Sequence, residues 1–457
     1  MRTLEARTLL DTESQAMSGD DPREYAGTHL NEKSVRITYI LFLGIGLATL
    51  LPWNLFISAS EFFKYQFSGS PQEYTFQNWF SVIYMVITFL STVYAMLTVT
   101  RSNPNTRIVG GLLANSLVYI VGIVLPLLPG LRGSISFYIV ITQLGITAMA
   151  SGMLMNSAFA LVAHFPAVHA EGILSGQAVA GVLSTAAQLV AAYTVMPPSN
   201  PNLDNEIPAS AEGLVFRTVA YFSFVAIVNL ILTIAFCRVS RNSYYQQQSK
   251  LAYPGHVSAH DRGSETERLI TLPTELAVPS PTSDAPAFKV TFRQISGYVY
   301  VIILDFALTL SVFPSVTSLV SPTSGYKFLA EWHYFMYSAG DLLGRRIAPS
   351  FKVSRVRSLI LLGLLRLLFI PAFFSSNVSY SVWHNWIRSD GVFLFLIMLL
   401  GTGNGYLSTR AAMIAPGISS NPTIAGSIIA IAVSSGLALG SLLSWPVRSL
   451  GCLCLPF

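Results

Sequence analysis

The strongest constraint on this chain is a succession of apolar runs, each long enough to form a helix that crosses a bilayer. A spanning helix needs roughly 20 mostly apolar residues, because lipid offers no partner for exposed backbone N–H and C=O groups. Eleven runs answer that description, near 36–59, 78–100, 107–128, 136–162, 173–196, 215–237, 295–320, 329–351, 357–375, 390–414 and 423–446. Pro52, Pro126, Pro314 and Pro371 fall inside them. Proline is tolerated there because neighbouring groups or water satisfy the freed carbonyl. The expectation is an all-α polytopic membrane protein. Composition narrows the function: 52% of the 457 residues are hydrophobic and 11% are charged, whereas soluble domains carry about 25% charged residues. A soluble enzyme, a disordered chain and a nucleic-acid binder are excluded. Cys237, Cys452 and Cys454 form neither a disulfide framework nor a metal-ligand spacing, so no cofactor or metal is expected.

Basic residues alternate between loops. Lys33, Arg36, Arg101, Arg107, Arg238, Arg241, Lys250, Arg345, Arg346, Lys352, Arg355 and Arg357 fall in one set, and only Lys64, Arg132, Arg217, Lys327 and Arg388 in the other. The positive-inside rule assigns the richer set, and with it the N-terminus, to the cytosol. The expected organisation is a cytosolic disordered tail over 1–35, a six-helix bundle over 36–237, a flexible cytosolic linker over 238–294, a five-helix bundle over 295–446 and a short non-cytosolic tail over 447–457. No apolar run follows an initial basic cluster, so no cleavable signal peptide is expected. The linker stretch is rich in Ser, Pro, Gln and charge (SYYQQQSK, VPSPTSDAP), too polar to bury a core of its own. Glu5 with Leu9-Leu10 and Glu265 with Leu269-Ile270 match an acidic dileucine pattern that sorting adaptors read. Their presence in predicted cytosolic segments favours a vacuolar or lysosomal membrane over the plasma membrane.

Ionisable groups inside a span are costly, and each is a functional hypothesis. In SAGDLLGRR, Asp341 and Arg345 lie four apart and share a helix face. Bracketed by Lys327 and Lys352, Asp341 is expected near the bilayer midplane. A carboxylate beside a guanidinium suits vicinal hydroxyls, since one accepts hydrogen bonds and the other donates them in a planar fork. Arg346, about 100° further round the helix, is expected to snorkel to the cytosolic surface. In the first span Trp53 and Asn54 follow Pro52, and Trp53 is either an interfacial belt residue or a flat surface on which an aromatic ligand stacks. The small residues of SGQAVAG, GTGNG and GLALG let helix backbones approach closely. Within them Gln177 and Asn404 need partners, in another helix or in a lined cavity. Asp305 is read as a coupling site or as the partner of a nearby basic group, and Arg366 and Arg410 as gating or snorkelling residues.

Taken together, LLPWN, SGQ, DLLGR, RLLFIP, NGYL and GLALG, in that order along 36–446, resemble the equilibrative nucleoside transporter family. The resemblance implies a 6+5 bundle of about 11 helices related to the major facilitator architecture, with a central cavity used by alternating access. It also implies that Trp53 stacks near the nucleoside, that Asp341 and Arg345 meet the ribose hydroxyls, and that Leu50, Ile57 and Met85 line the same cavity. Nucleosides such as adenosine and uridine are the implied substrates, with nucleobases as a further implied class. The chain departs from the family where Met155, followed by Asn156, replaces a base-contacting Gln on the fourth helix, and where Ser338 replaces an Asn. Arg107 matches the family's basic residue opening the third helix, but its usual acidic partner is replaced near Thr423. The rival readings are a major facilitator carrier of sugars or other small polar solutes, because GDLLGRR resembles that superfamily's loop signature, and a proton-coupled nucleoside carrier. An intramembrane aspartyl protease using Asp305 and Asp341 is disfavoured, because Arg345 would keep Asp341 charged and spoil a shared-proton dyad.

Overall fold

The apolar runs fold as helices whose starts are written in local sequence. The computed structural model describes residues 22–73, 75–128, 131–194, 211–252, 284–323, 328–378 and 382–451. Its principal helices are α1 (Pro22–Ser58), α2 (Phe76–Leu97), α3 (Pro104–Val124), α4 (Ser134–Val162), α5 (Ala167–Thr194) and α6 (Ala211–Val239). The second half supplies α7 (Asp284–Val312), α8 (Leu329–Ile347), α9 (Val356–Leu365, continued by short turns to Phe374), α10 (Asp390–Ile414) and α11 (Pro422–Gly451). Pro22, Pro104 and Pro422 stand at helix starts, where the missing N–H costs nothing. Asn103 and Ser389 cap the first turns of α3 and α10 with their side-chain oxygens.

Ten helices among the described residues are long and apolar enough to cross a membrane. The eleventh expected span, α8, is helical but falls outside that set, because Glu331, Asp341, Arg345 and Arg346 lower its hydropathy. It is instead held between α5 and α10 by protein contacts.

Helical structure also reaches into segments expected as tail and linker. α1 begins at Pro22, α6 runs to Val239, Ser243–Ala252 is a helix, and α7 begins at Asp284. Tyr245 anchors the short helix: it is buried against Phe165 and Phe236, and its hydroxyl donates to Asn105 at 2.7 Å. One aromatic anchor outweighs a polar window. The two dileucine patterns, Lys327, Cys452 and Cys454 lie outside the described residues.

The helix pairings repeat with an offset of six. Packing of α1 on α5 matches α7 on α11, and α2 on α4 matches α8 on α10. The contacts between halves repeat too, α5 against α8 and α10 matching α11 against α2 and α4. That is the signature of two parallel repeats related by an axis along the membrane normal. Glycine makes the closest of these crossings. A Cβ at Gly344 would strike the Thr402 carbonyl, one at Gly405 the Asp341 carbonyl, and one at Gly401 the Tyr337 carbonyl. Backbones meet where lipid-spanning helices have no hydrophobic drive to associate, so van der Waals packing does the holding.

Gly344→Ala therefore forces α8 off α10 and is expected to cost about 1–3 kcal/mol of stability. Gly110→Ala, where an added Cβ meets open space, should leave it unchanged. Thermal unfolding of the purified detergent-solubilised variants checks both; equal midpoints would contradict the close-crossing account.

Candidate functional site

On α8 the spacing of Asp341 and Arg345 closes an ion pair on one helix face, Arg345 Nε donating to Asp341 Oδ2 at 2.9 Å. The glycine crossing brings α10 near enough for Asn404 Nδ2 to donate to Asp341 Oδ1 at 2.7 Å. Behind Asn404, Thr309 Oγ1 of α7 donates to Asn404 Oδ1 at 3.1 Å. Arg366, in the turn that continues α9, donates from Nη2 to Thr309 Oγ1 at 2.7 Å and to the Leu400 carbonyl at 3.1 Å, and from Nη1 to Asp305. Arg345, Asp341, Asn404, Thr309, Arg366 and Asp305 thus form one buried polar chain through α7, α8, α9 and α10. Asp305 finds its basic partner here. Arg366 does not snorkel, because pairing with Asp305 lets its guanidinium stay inside. Arg410 is likewise buried, with Nε donating to the Val353 carbonyl at 3.2 Å. Arg345 Nη1 is buried and makes no hydrogen bond.

In the first half, Trp53 is 9% exposed and stacks on Tyr84 of α2, with centroids 4.5 Å apart and planes 26° from parallel. Burial excludes the interfacial-belt position. Leu50 and Met85 pack against the same aromatic cluster, whereas Ile57 is 44% exposed. The remaining expected residues hold helices together. Gln177 Nε2 donates to Thr49 Oγ1 at 3.3 Å, joining α5 to α1. Asn156 donates to the Ser427 carbonyl at 3.4 Å and accepts from Ser427 Oγ at 3.3 Å, joining α4 to α11; Met155 is buried beside it. Arg107 donates to the Ala95 and Thr98 carbonyls at 2.7 and 2.9 Å, closing the C-terminal turn of α2.

The central cavity implied by the resemblance would leave the carboxylate–guanidinium pair open to water, but Asp341 is 6% and Arg345 3% exposed. α10 covers the couple through Asn404 and the Gly405 crossing, and α8 also packs along α5 in a closed seam. Midway along it, Ser338 Oγ lies 3.3 Å from where a Cβ on Gly181 would be. On the face that carries most basic residues, Tyr39 donates to Glu171 at 2.9 Å, and Arg346 donates to the Tyr39 hydroxyl at 2.7 Å while lying 3.6 Å from Glu171. Arg346 thus does more than snorkel, for it ties α8 to α1 and α5. Also on that face, His164 Nε2 and Thr423 Oγ1 are 2.6 Å apart, joining the α4–α5 turn to α11. Towards the opposite face Trp332 Nε1 donates to the Tyr193 hydroxyl at 3.2 Å, and Tyr193 meets Phe328 edge-on. Tyr39, Glu171, His164 and Thr309 were not among the expected residues. Glu171, an acid opening an apolar run, was a readable signal; a threonine in a spanning run carries none.

A family model described as nucleoside transporter matches residues 141–449. Human equilibrative nucleoside transporter 1 is 26% identical over 475 aligned positions, covering 93% of this chain and 99% of its own. Mouse equilibrative nucleoside transporter 2 is 25% identical, with 91% and 98% covered. Equilibrative nucleotide transporter 8 of Arabidopsis thaliana is 21% identical, with 90% and 95% covered. Among solved structures, the major facilitator transporter FucP in its outward conformation superposes with a TM-score of 0.57 at 10% identity, over 91% of this chain and 97% of that one. The proton:xylose symporter XylE gives 0.57 at 11%, over 93% and 89%. These two likenesses establish a major-facilitator arrangement of helices.

Burial pushes His164 down to about 4, against about 6.5 for an exposed histidine. If opening the basic face exposes it, opening takes up a proton between those values. Falling pH then favours the open face from about pH 6.5 to 4 and has no effect through His164 above that window. Spin labels at the exposed positions Arg36 and Lys352 should report a growing long-distance population as pH falls through the window, and His164→Gln should flatten it. An identical pH response in His164→Gln would contradict this.

Proposed function

Since the chain belongs to the nucleoside transporter family, we propose that it carries nucleosides down their concentration gradient by alternating access, using the Asp341–Arg345 couple to hold the ribose. It is a multi-pass membrane carrier and performs no covalent chemistry. The observation that carries the site assignment is the buried couple itself: a charged pair between helices, with Arg345 Nη1 lacking any hydrogen bond. An unmet guanidinium donor is costly in a water-poor interior; Arg366 Nε and Asp305 Oδ2 share that condition, and the Asp341–Arg345 couple differs in lying on the helix that packs across to α5 of the other half. Vicinal hydroxyls complete the set, donating to the free lone pairs of Asp341 and accepting from Arg345.

The seam between α5 and α8 supplies the access route. Parting at the face with Tyr39, Glu171 and Arg346 opens the couple to one side, and parting at Tyr193 and Trp332 opens it to the other. A ligand shifts this equilibrium only by binding the two arrangements differently, so the substrate gradient alone sets the direction of net flux. Asp305, paired with Arg366, serves as a counter-charge and not as a proton carrier. Trp53 offers the base a stacking surface once its contact with Tyr84 is shared or exchanged, with Leu50, Ile57 and Met85 lining the approach. Neither Met155 nor Asn156 presents a free amide to a base edge, which favours transport of purine and pyrimidine nucleosides alike, and of nucleobases more weakly. The basic face is cytosolic by the positive-inside rule, with the N-terminus on the same side. The paired dileucine patterns support residence in a vacuolar or lysosomal membrane.

Uptake of labelled uridine and adenosine by reconstituted vesicles tests the site. Asp341→Asn and Arg345→Gln are each expected to raise KM by roughly 10- to 100-fold, the loss of hydrogen bonds to charged groups worth about 1.5–3 kcal/mol. Wild-type uptake by both variants would remove the proposed site. In the same vesicles Trp53→Ala should weaken nucleoside binding by about 1–3 kcal/mol, as for stacked bases elsewhere, with Trp53→Phe intermediate. An effect on protein amount alone would assign Trp53 to packing.

A further inference from the structure

The polar chain behind Asp341 has a direction. A guanidinium donates and cannot accept, and an ionised carboxylate accepts and cannot donate. Arg366 Nη2 therefore fixes Thr309 Oγ1 as its acceptor. Thr309 has one hydroxyl proton, shared between Asn404 Oδ1 at 3.1 Å and the Asp305 carbonyl of its own helix at 2.8 Å. At the far end Asp341 Oδ1 demands a donor, and Asn404 Nδ2 is 2.7 Å away. Turning the Asn404 amide over would set its oxygen against the carboxylate, so Asp341 fixes the orientation and the Thr309 hydroxyl reinforces it when its proton points to Asn404 Oδ1 and not to the Asp305 carbonyl.

The consequence falls on Asp341. Each of its oxygens takes one fixed donor, Asn404 Nδ2 on Oδ1 and Arg345 Nε on Oδ2, so the carboxylate plane is held by two different helices. The remaining lone pairs then point in set directions, the condition for reading two adjacent hydroxyls and not one. Gly403 lets the Arg366 head reach this position, since a Cβ there would sit 3.0 Å from Nε.

We propose that Thr309 and Arg366, with Asp305 as counter-charge, are positioning residues that act through Asn404 to orient Asp341, and that this orientation sets the preference for ribose over sugars lacking the vicinal hydroxyls. The proposal rests on the assignment of Asp341 to the ribose. It makes sugar selectivity depend on residues that touch no substrate.

The test is the ratio of uridine to 2′,3′-dideoxyuridine uptake, each as Vmax/KM, by reconstituted full-length protein. The ratio is independent of how much protein survives preparation. Thr309→Val, which keeps shape and removes the hydroxyl, should lower the ratio by about 5- to 10-fold, the scale of one hydrogen bond, mainly through KM for uridine. Thr309→Ser restores the hydroxyl and should recover most of the loss, and Thr309→Ala serves if the valine variant does not reach the membrane. Asp341→Asn should abolish the preference. An unchanged ratio in Thr309→Val, or equal losses in the valine and serine variants, overturns the positioning role while Asp341→Asn still loses its preference. If Asp341→Asn keeps the preference, the ribose assignment itself fails and the proposal falls with it.

Discussion

A carboxylate placed among spanning helices must be compensated, and the way Asp341 is compensated organises half of this protein. Its partners come from its own helix (Arg345) and from α10 (Asn404), which can reach only because glycines bring the two backbones into contact. The hydrogen bonds continue to α7 and α9 and end at a second ion pair, Asp305 with Arg366. Buried ion pairs stabilise little in net terms when desolvation is counted, yet removing one member costs about 3–5 kcal/mol. Such a chain is poor at adding stability and good at specifying one arrangement, as an oriented binding group requires.

The second-half network and the first-half aromatic cluster lie on either side of the interface between repeats. The same interface holds the cross-half bonds Tyr39–Glu171–Arg346 and His164–Thr423 at the basic face and Asn156–Ser427 further inside. Polar bonds of this kind can be exchanged for water when one face opens, at modest net cost. The glycine crossings within each half cannot be exchanged that way. One such crossing also joins the halves, Gly426 of α11 against the Phe159 carbonyl of α4, so the α4–α11 contact must part along with the polar bonds when the basic face opens.

Much of this was legible in the sequence, for reasons that depend on range. Spanning helices follow from local composition, because lipid leaves the backbone no alternative. The Asp341–Arg345 pair follows from one helical turn. The glycine runs announce close crossings, though not which helix each one meets. What stayed hidden is long-range: Asp305 and Arg366 are 61 positions apart, and Tyr39 and Arg346 are 307 apart. Arg366 reads as a gating or snorkelling residue because nothing near it along the chain offers a partner; only Asp305 across the bundle explains its burial. Trp53 was legible as an aromatic at a break in the first span, but its environment, belt or interior, depended on where Tyr84 falls. The closed state of the seam is a property of two repeats docked together, and no window of sequence encodes it.

The mechanism turns on where the sugar sits. A cryo-EM map of the full chain in lipid nanodiscs with saturating uridine measures this directly. The account predicts ribose density beside α8, with its two ring hydroxyls within about 3.2 Å of Asp341 and Arg345. Density for the nucleoside elsewhere, with the couple still closed between helices and untouched by ligand, would contradict it.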